Sequence, residues 1–165
     1  NNVEGAFPEE VGLALADSLV VVSLEDQTIT GTLPVSLGAV SRLRIIDFDF
    51  NSIRGTIPEK YYFLPLLEQL DVNDNQLTGT LSDSVGNLKS LIFLQLNNNE
   101  FSGTIPSTLL DTPIIVAEFQ LNKFEGSMPL CIGAPGQTIG AISVDCGPAS
   151  GPEVICGESC GCECF

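Results

Sequence analysis

Gly-Thr-Ile-Pro, or a near-copy of it, returns at an almost fixed interval, and this periodicity constrains the fold more than any other feature of the chain. The glycines are Gly5, Gly31, Gly55, Gly79, Gly103 and Gly126, at spacings of 26, 24, 24, 24 and 23. Each opens a similar tetrad: Ala6-Phe7-Pro8, Thr32-Leu33-Pro34, Thr56-Ile57-Pro58, Thr80-Leu81-Ser82, Thr104-Ile105-Pro106 and Ser127-Met128-Pro129 follow them in turn. A period of this length predicts a solenoid of stacked units, which works by offering a long, regular surface to a partner.

The residues before each glycine say how a unit is built. Leu91, Leu94, Leu96, Asn99, Phe101 and Gly103 form the cleanest copy; Leu43, Ile46, Phe48, Asn51, Ile53 and Gly55 form another, and so do Leu67, Leu70, Val72, Asn75, Leu77 and Gly79. An earlier copy has Gln27 in place of Asn, and a later one has Ala117 at a core position, ahead of Asn122. Pairs such as Leu94 and Leu96, two residues apart, point to one side of a short strand, and that side is the core. The expected strands centre on Val22–Leu24, Ile46–Phe48, Leu70–Val72, Leu94–Leu96, Ala117–Phe119 and Ile142–Val144. Asn51, Asn75, Asn99 and Asn122 then stack in register, where they can hydrogen-bond the turn backbone of neighbouring coils. The glycine column suits tight turns in which a side chain would collide.

This pattern resembles the plant-like, 24-residue leucine-rich repeat, L-x-x-L-x-L-x-x-N-x-L-x-G-x-I-P, over roughly residues 5–145. The resemblance implies an α/β solenoid: a right-handed superhelix with a parallel concave sheet, a convex side of short 3₁₀ turns and loops, and here a Cys-rich C-terminal cap. The expected division is a solenoid over 1–130, with an incomplete first coil, and a last coil plus cap over 131–165. A bare first coil would expose core residues such as Phe7 and Val11, so an N-terminal cap is expected ahead of this stretch.

All six cysteines fall in the closing segment: Cys131, Cys146, Cys156, Cys160, Cys162 and Cys164. An even number clustered in one terminal segment reads as a disulfide-stapled cap in an oxidising compartment, with 15 connectivities open. A zinc site is the weaker reading, because the spacing lacks C-x2-C pairs and the chain has no His. The ending, with Pro129-Leu130-Cys131, Val144-Asp145-Cys146 and Val154-Ile155-Cys156, resembles the cap of secreted diatom and algal leucine-rich repeat proteins. The location implied is extracellular or another oxidising lumen.

With 21 acidic against 6 basic residues, the net charge is -15. That argues against nucleic acid and anionic membrane surfaces and favours basic partners or cations. No run of about 20 apolar residues exists to span a membrane. Without His, neither a Ser-His nor a Cys-His pair can form, and the glycines are repeat punctuation rather than a phosphate loop, so the chain does not read as an enzyme.

Positions flanking the core pair face outward from the concave sheet. Glu25, Asp26, Asp47, Asp49, Asp71 and Asp74 fall within three neighbouring strands, interspersed with Phe50, Asn73 and Phe93. Carboxylates one strand apart, about 4.8 Å, repel by roughly 1–3 kcal/mol, which solvent, a cation or a partner's Lys and Arg must offset. The expected binding residues are Glu25, Asp47, Asp49, Phe50, Asp71, Asn73, Asp74 and Phe93, on a non-catalytic module that takes a protein or peptide with a basic surface. Two other readings compete. One is a structural component of an extracellular coat, adhesive or multi-protein assembly, bridged by calcium. The other, more remote, is ice binding through the column Thr32, Thr56, Thr80 and Thr104. No cofactor and no dedicated metal site is expected, although weak calcium binding is compatible with the acids. The segments Asp47–Asn51 and Asp71–Asn75 resemble a calcium loop only superficially: Gln76 and Ser52 stand where the turn needs Gly, and Ser82 and Pro58 where it needs Glu.

The cap reading predicts that thiol titration of the denatured, unreduced protein finds essentially no free thiol; stoichiometric zinc release instead would favour the metal.

Overall fold

The computed structural model describes residues 4–127, 141–145, 154–155 and 162–164. The chain alternates between two parallel sheets. One contains β2 (Val21–Ser23), β4 (Ile45–Asp47), β6 (Gln69–Asp71), β8 (Phe93–Gln95), β10 (Val116–Glu118), β13 (Ala141–Val144) and β15 (Cys162–Cys164), in the order β15-β13-β10-β8-β6-β4-β2. The other contains β1 (Glu4–Ala6), β3 (Thr28–Thr32), β5 (Ser52–Gly55), β7 (Gln76–Thr80), β9 (Glu100–Gly103) and β11 (Lys123–Phe124), in chain order. A short pair joins β12 (Gly126–Ser127) to β14 (Val154–Ile155). The coils return through 3₁₀ turns at Val35–Ala39, Glu59–Phe63, Asp83–Asn87 and Ser107–Asp111, and the first coil through helix α1 (Glu9–Ala14). This is a leucine-rich repeat solenoid.

All six expected strands lie in the first sheet, each starting one residue before its core pair. The hydrogen bonding nonetheless runs on through the second core residue: Leu24 N donates to Asp47 O, Phe48 N to Asp71 O, Val72 N to Gln95 O and Leu96 N to Glu118 O, at 2.9–3.0 Å. The strand Cys162–Cys164 adds a seventh member beside β13 that the repeat pattern did not foresee. The rest of the expected cap lies outside the described residues.

In three successive coils both residues of the core pair and the leucine ahead of them are fully enclosed: Leu43, Ile46, Phe48, Leu67, Leu70, Val72, Leu91, Leu94 and Leu96 have no exposure at all. Aromatic rings fill the wider gaps, with Phe119 edge-on to Phe124 at 5.7 Å and Phe7 edge-on to Phe48 at 5.5 Å. Phe7 and Val11 are therefore half-buried rather than bare, because α1 packs on the next coil and the Phe7 ring reaches across to Phe48.

The asparagine column does what its spacing implies. In Asn99, Oδ1 accepts from Leu77 N at 2.9 Å, while Nδ2 donates to Val72 O at 2.9 Å, Leu96 O at 3.1 Å and Asn97 O at 3.2 Å. Asn51, Asn75 and Asn122 repeat this geometry in their own coils, with Oδ1 receiving Ile29 N, Ile53 N and Phe101 N at 2.9 Å each. Each amide thus ties its own corner to the coil before it. The glycine column is fixed on two counts, seen best at Gly79: its φ is +90°, and a Cβ there would lie 2.8 Å from the Thr56 methyl of the preceding coil.

Replacing Asn99 by Ala strands the buried Leu77 N–H and the carbonyls of Val72 and Leu96. An orphaned buried group costs about 1–3 kcal/mol, so urea unfolding of Asn99→Ala should show a stability loss of at least that size. A neutral result would mean that the amide column is not structural.

Candidate functional site

Strand pairing fixes the outward columns of the concave sheet. Ser23, Asp47, Asp71, Gln95, Glu118 and Ser143 are successive partners in register, so their side chains form one row across six strands. A second row, Glu25, Asp49, Asn73, Asn97, Gln120 and Asp145, lies two residues further on in each coil. The sheet thereby brings Asp47, Asp49 and Asp71 together, with Glu25 on one flank and Glu118 on the other. The carboxylate oxygens of Glu25, Asp47 and Asp49 lie within 4.8 Å of one another.

Within both rows, two successive coils differ in depth. Asp47 and Asp49 are half-buried, whereas Asp71 and Asn73 are each only 7% exposed. The correction to the expected surface is therefore that Asp71 and Asn73 form its floor. Asp71 closes β6 and Asn73 lies two residues beyond it, and a partner touching the rim residues would not reach either without displacement.

Burial pushes the Asp71 carboxyl up to about 7, with the Asn73 N–H partly opposing and the charges of Asp47, Asp49 and Glu118 adding to the rise. Asp49 is pushed up to about 6, again by burial first, then by the charge and hydrogen bond of Asp47 and the charges of Glu25 and Asp74. The internal donors are few. Ser23 Oγ reaches Asp47 Oδ2 at 3.3 Å, and the backbone N–H groups of Asp49 and Asn73 reach Asp47 Oδ1 and Asp71 Oδ1 at 3.4 Å. All six Lys and Arg lie within the described residues, and the ion pairs formed there, Arg44–Glu68 and Lys123–Glu100, lie away from these rows.

At the strand-to-turn corner, Asp26, Phe50, Asp74, Asn98 and Leu121 all take positive φ, between 49° and 57°. Asp and Asn tolerate this left-handed conformation; bulky side chains do so at a cost. Phe50 and Leu121 nonetheless occupy it and are 55% and 61% exposed, so burial returns little to offset the strain. Asp74, the next in this column after Phe50, is engaged internally by the side-chain amides of Asn73 at 2.7 Å and of Asn98. Phe93, in the outermost column, is 39% exposed. Glu118 and Gln120 were not among the expected site residues, although their column positions were readable; the strand β8 separates Glu118 from Asp71, and only the field at Asp71 joins Glu118 to the cluster.

A leucine-rich repeat family model matches residues 66–88 and 90–111, and the fold is that of a plant-like leucine-rich repeat protein. The structure of a plant ice-binding protein aligns with a TM-score of 0.74 at 28% identity, covering 86% of this chain and 47% of that one. The leucine-rich repeat ectodomain of the receptor kinase GASSHO1/SCHENGEN3 from Arabidopsis thaliana, in complex with CASPARIAN STRIP INTEGRITY FACTOR 2, aligns with a TM-score of 0.75 at 25% identity over 88% of this chain and 18% of that one. The PEPR1–AtPEP1 structure gives 0.77 at 26% identity, over 88% and 21%. This chain spans under half the length of each. No curated protein matches it. Among the described residues, no helix is long and apolar enough to cross a membrane.

The raised carboxyls set a pH dependence. Folded Asp49 and Asp71 hold protons that the unfolded chain releases near 3.8, the ordinary aspartate value. Between about pH 4 and 7 the folded state therefore binds more protons, and stability falls as pH rises through that window. The melting temperature should be higher at pH 5 than at pH 8, and Asp71→Asn should raise it at pH 8 and flatten the profile. A profile that climbs towards pH 8 would mean that these carboxyls are not held protonated.

Proposed function

We propose that this solenoid is a non-catalytic binding module that takes a basic protein or peptide on its acidic, partly aromatic concave face. The observation that carries this reading is the uncompensated carboxylate cluster of Asp47, Asp49 and Asp71, flanked by Glu25 and Glu118, beside the exposed rings of Phe50 and Phe93. Repulsion on this scale leaves a face that gains most from a partner bringing positive charge, and the rings supply desolvated contact once steering has delivered it. The backbone fixes the positions of these groups before binding, which lowers the entropy lost. The likeness to receptor ectodomains solved with bound partners supports the same role, with an extracellular or otherwise oxidising location. Within this reading Glu25, Asp47, Asp49, Phe50 and Phe93 are the contact residues, Asp74 borders them with its carboxylate engaged by Asn73 and Asn98, and Asp71 and Asn73 shape the floor beneath.

One further observation favours a second reading. The likeness to a plant ice-binding protein goes with exposed threonines that recur once per coil, Thr32, Thr56, Thr80 and Thr104, at or just past the ends of the second sheet's strands. Strand pairing sets Arg54 beside Thr32 and Ser102 beside Thr80, so these threonines recur at one position per coil with other residues facing them across the sheet.

Peptides selected from a displayed library on the native protein should carry net positive charge. Asp47→Lys combined with Glu118→Lys, both at half-buried rim positions, should slow their association roughly tenfold at low salt, with the difference shrinking as salt rises. Selection of neutral or acidic peptides, or binders indifferent to the double reversal, would sink the concave-face reading; inhibition of ice recrystallisation that Thr56→Tyr abolishes would put the threonine row in its place.

A further inference from the structure

We propose that the groove beside Phe50 is a seat for a single arginine side chain of the partner, a subsite that rests on the concave-face reading above. The groove has a volume of about 370 Å³ and is lined by Glu25, Asp26, Asp49 and Phe50. Its walls come from two successive coils held together by the backbone bond from Asp26 N to Asp49 O at 3.1 Å. Phe50, at φ 49°, presents its ring to solvent between the carboxylates of Asp26 and Asp74, its neighbours in the corner column.

The polar atoms around the groove call for donors. Asp49 Oδ1, the one of these oxygens that belongs to the groove lining, is buried with no hydrogen-bond partner. Three carboxylates, one of them with an unpartnered buried oxygen, beside an exposed ring match a ligand that is all donor on one side and flat on the other. A guanidinium has five N–H donors, no acceptor, a plane that stacks on aromatic faces and weaker hydration than an ammonium. A bare metal ion would use the carboxylates and leave the ring idle. An ammonium would bring the charge without the plane.

Among the described residues the arrangement occurs once. In the next coil the corner residue is Asp74, whose carboxylate is already taken by Asn73 and Asn98, and in the one after it is Asn98 itself. The chain therefore reads one cationic residue at a defined place, which gives the face a register as well as a charge.

The test is an NMR titration of the ¹⁵N-labelled protein with N-acetyl tri-arginine amide at low salt. Saturable shifts should centre on Glu25, Asp26, Asp49 and Phe50. Phe50→Ala, at an exposed position, should keep the circular dichroism of the native protein and weaken binding about two- to fivefold, the range expected for a cation over an exposed ring. Tri-lysine amide should bind more weakly than tri-arginine. Absent saturation, shifts spread evenly over the acidic residues, an unchanged affinity in Phe50→Ala, or tri-lysine binding equal to tri-arginine each overturns the subsite. If Asp47→Lys with Glu118→Lys still weakens the selected peptides while Phe50→Ala does not, the subsite fails and the concave-face reading stands.

Discussion

One side-chain amide per coil holds this stack together. A solenoid coil must turn twice per repeat, and at each corner the backbone leaves the sheet ladder with groups unpaired; leaving them buried and bare would cost about 1–3 kcal/mol each. Asn51, Asn75, Asn99 and Asn122 meet that need by bonding forward to their own corner and back to the coil before, with one oxygen and one nitrogen apiece. Everything else follows from this spacing. The leucines can close the core only because the corners keep the coils in register, and the outward rows can line up only because every strand starts at the same place.

That regularity gives the concave face its physical character. A flat sheet forces side chains at the same position in successive coils to stand next to one another, so acids at Asp47 and Asp71 cannot avoid each other as they could on a flexible loop. The fold tolerates the clash by raising the carboxyls of Asp49 and Asp71 towards neutrality, and its internal donors reach them at only 3.3–3.4 Å where they reach the cluster at all. Asp74 shows the alternative: given the amides of Asn73 and Asn98, a carboxylate in the neighbouring column is fully engaged inside the protein. The contrast between Asp74 and the Asp26–Asp49 groove is what separates a structural acid from one available to a ligand.

The fold was written in the sequence almost completely. A period near 24, with apolar residues two apart before each Asn, leaves only one way to put every leucine inside, because the side-chain alternation of a strand has a period of two and the repeat length fixes which strand follows which. The Asn and Gly columns were legible for the same reason, and so were the outward columns. What the pattern could not carry was depth. Asp47 and Asp71 occupy equivalent positions in the repeat, yet one is half-buried and the other 7% exposed, since exposure depends on the size of the neighbours across the sheet and not on position along the strand. The left-handed corner was equally invisible in Phe50 and Leu121, which no local propensity would place there; the coil imposes it on whatever residue arrives. The sequence by itself thus determined the solenoid, its core and the rows that face outward, through periodicity alone. Only the tertiary structure decided which acids keep their charge, which oxygens lack a donor and where a ring stands open beside them, because those properties arise from distances between coils.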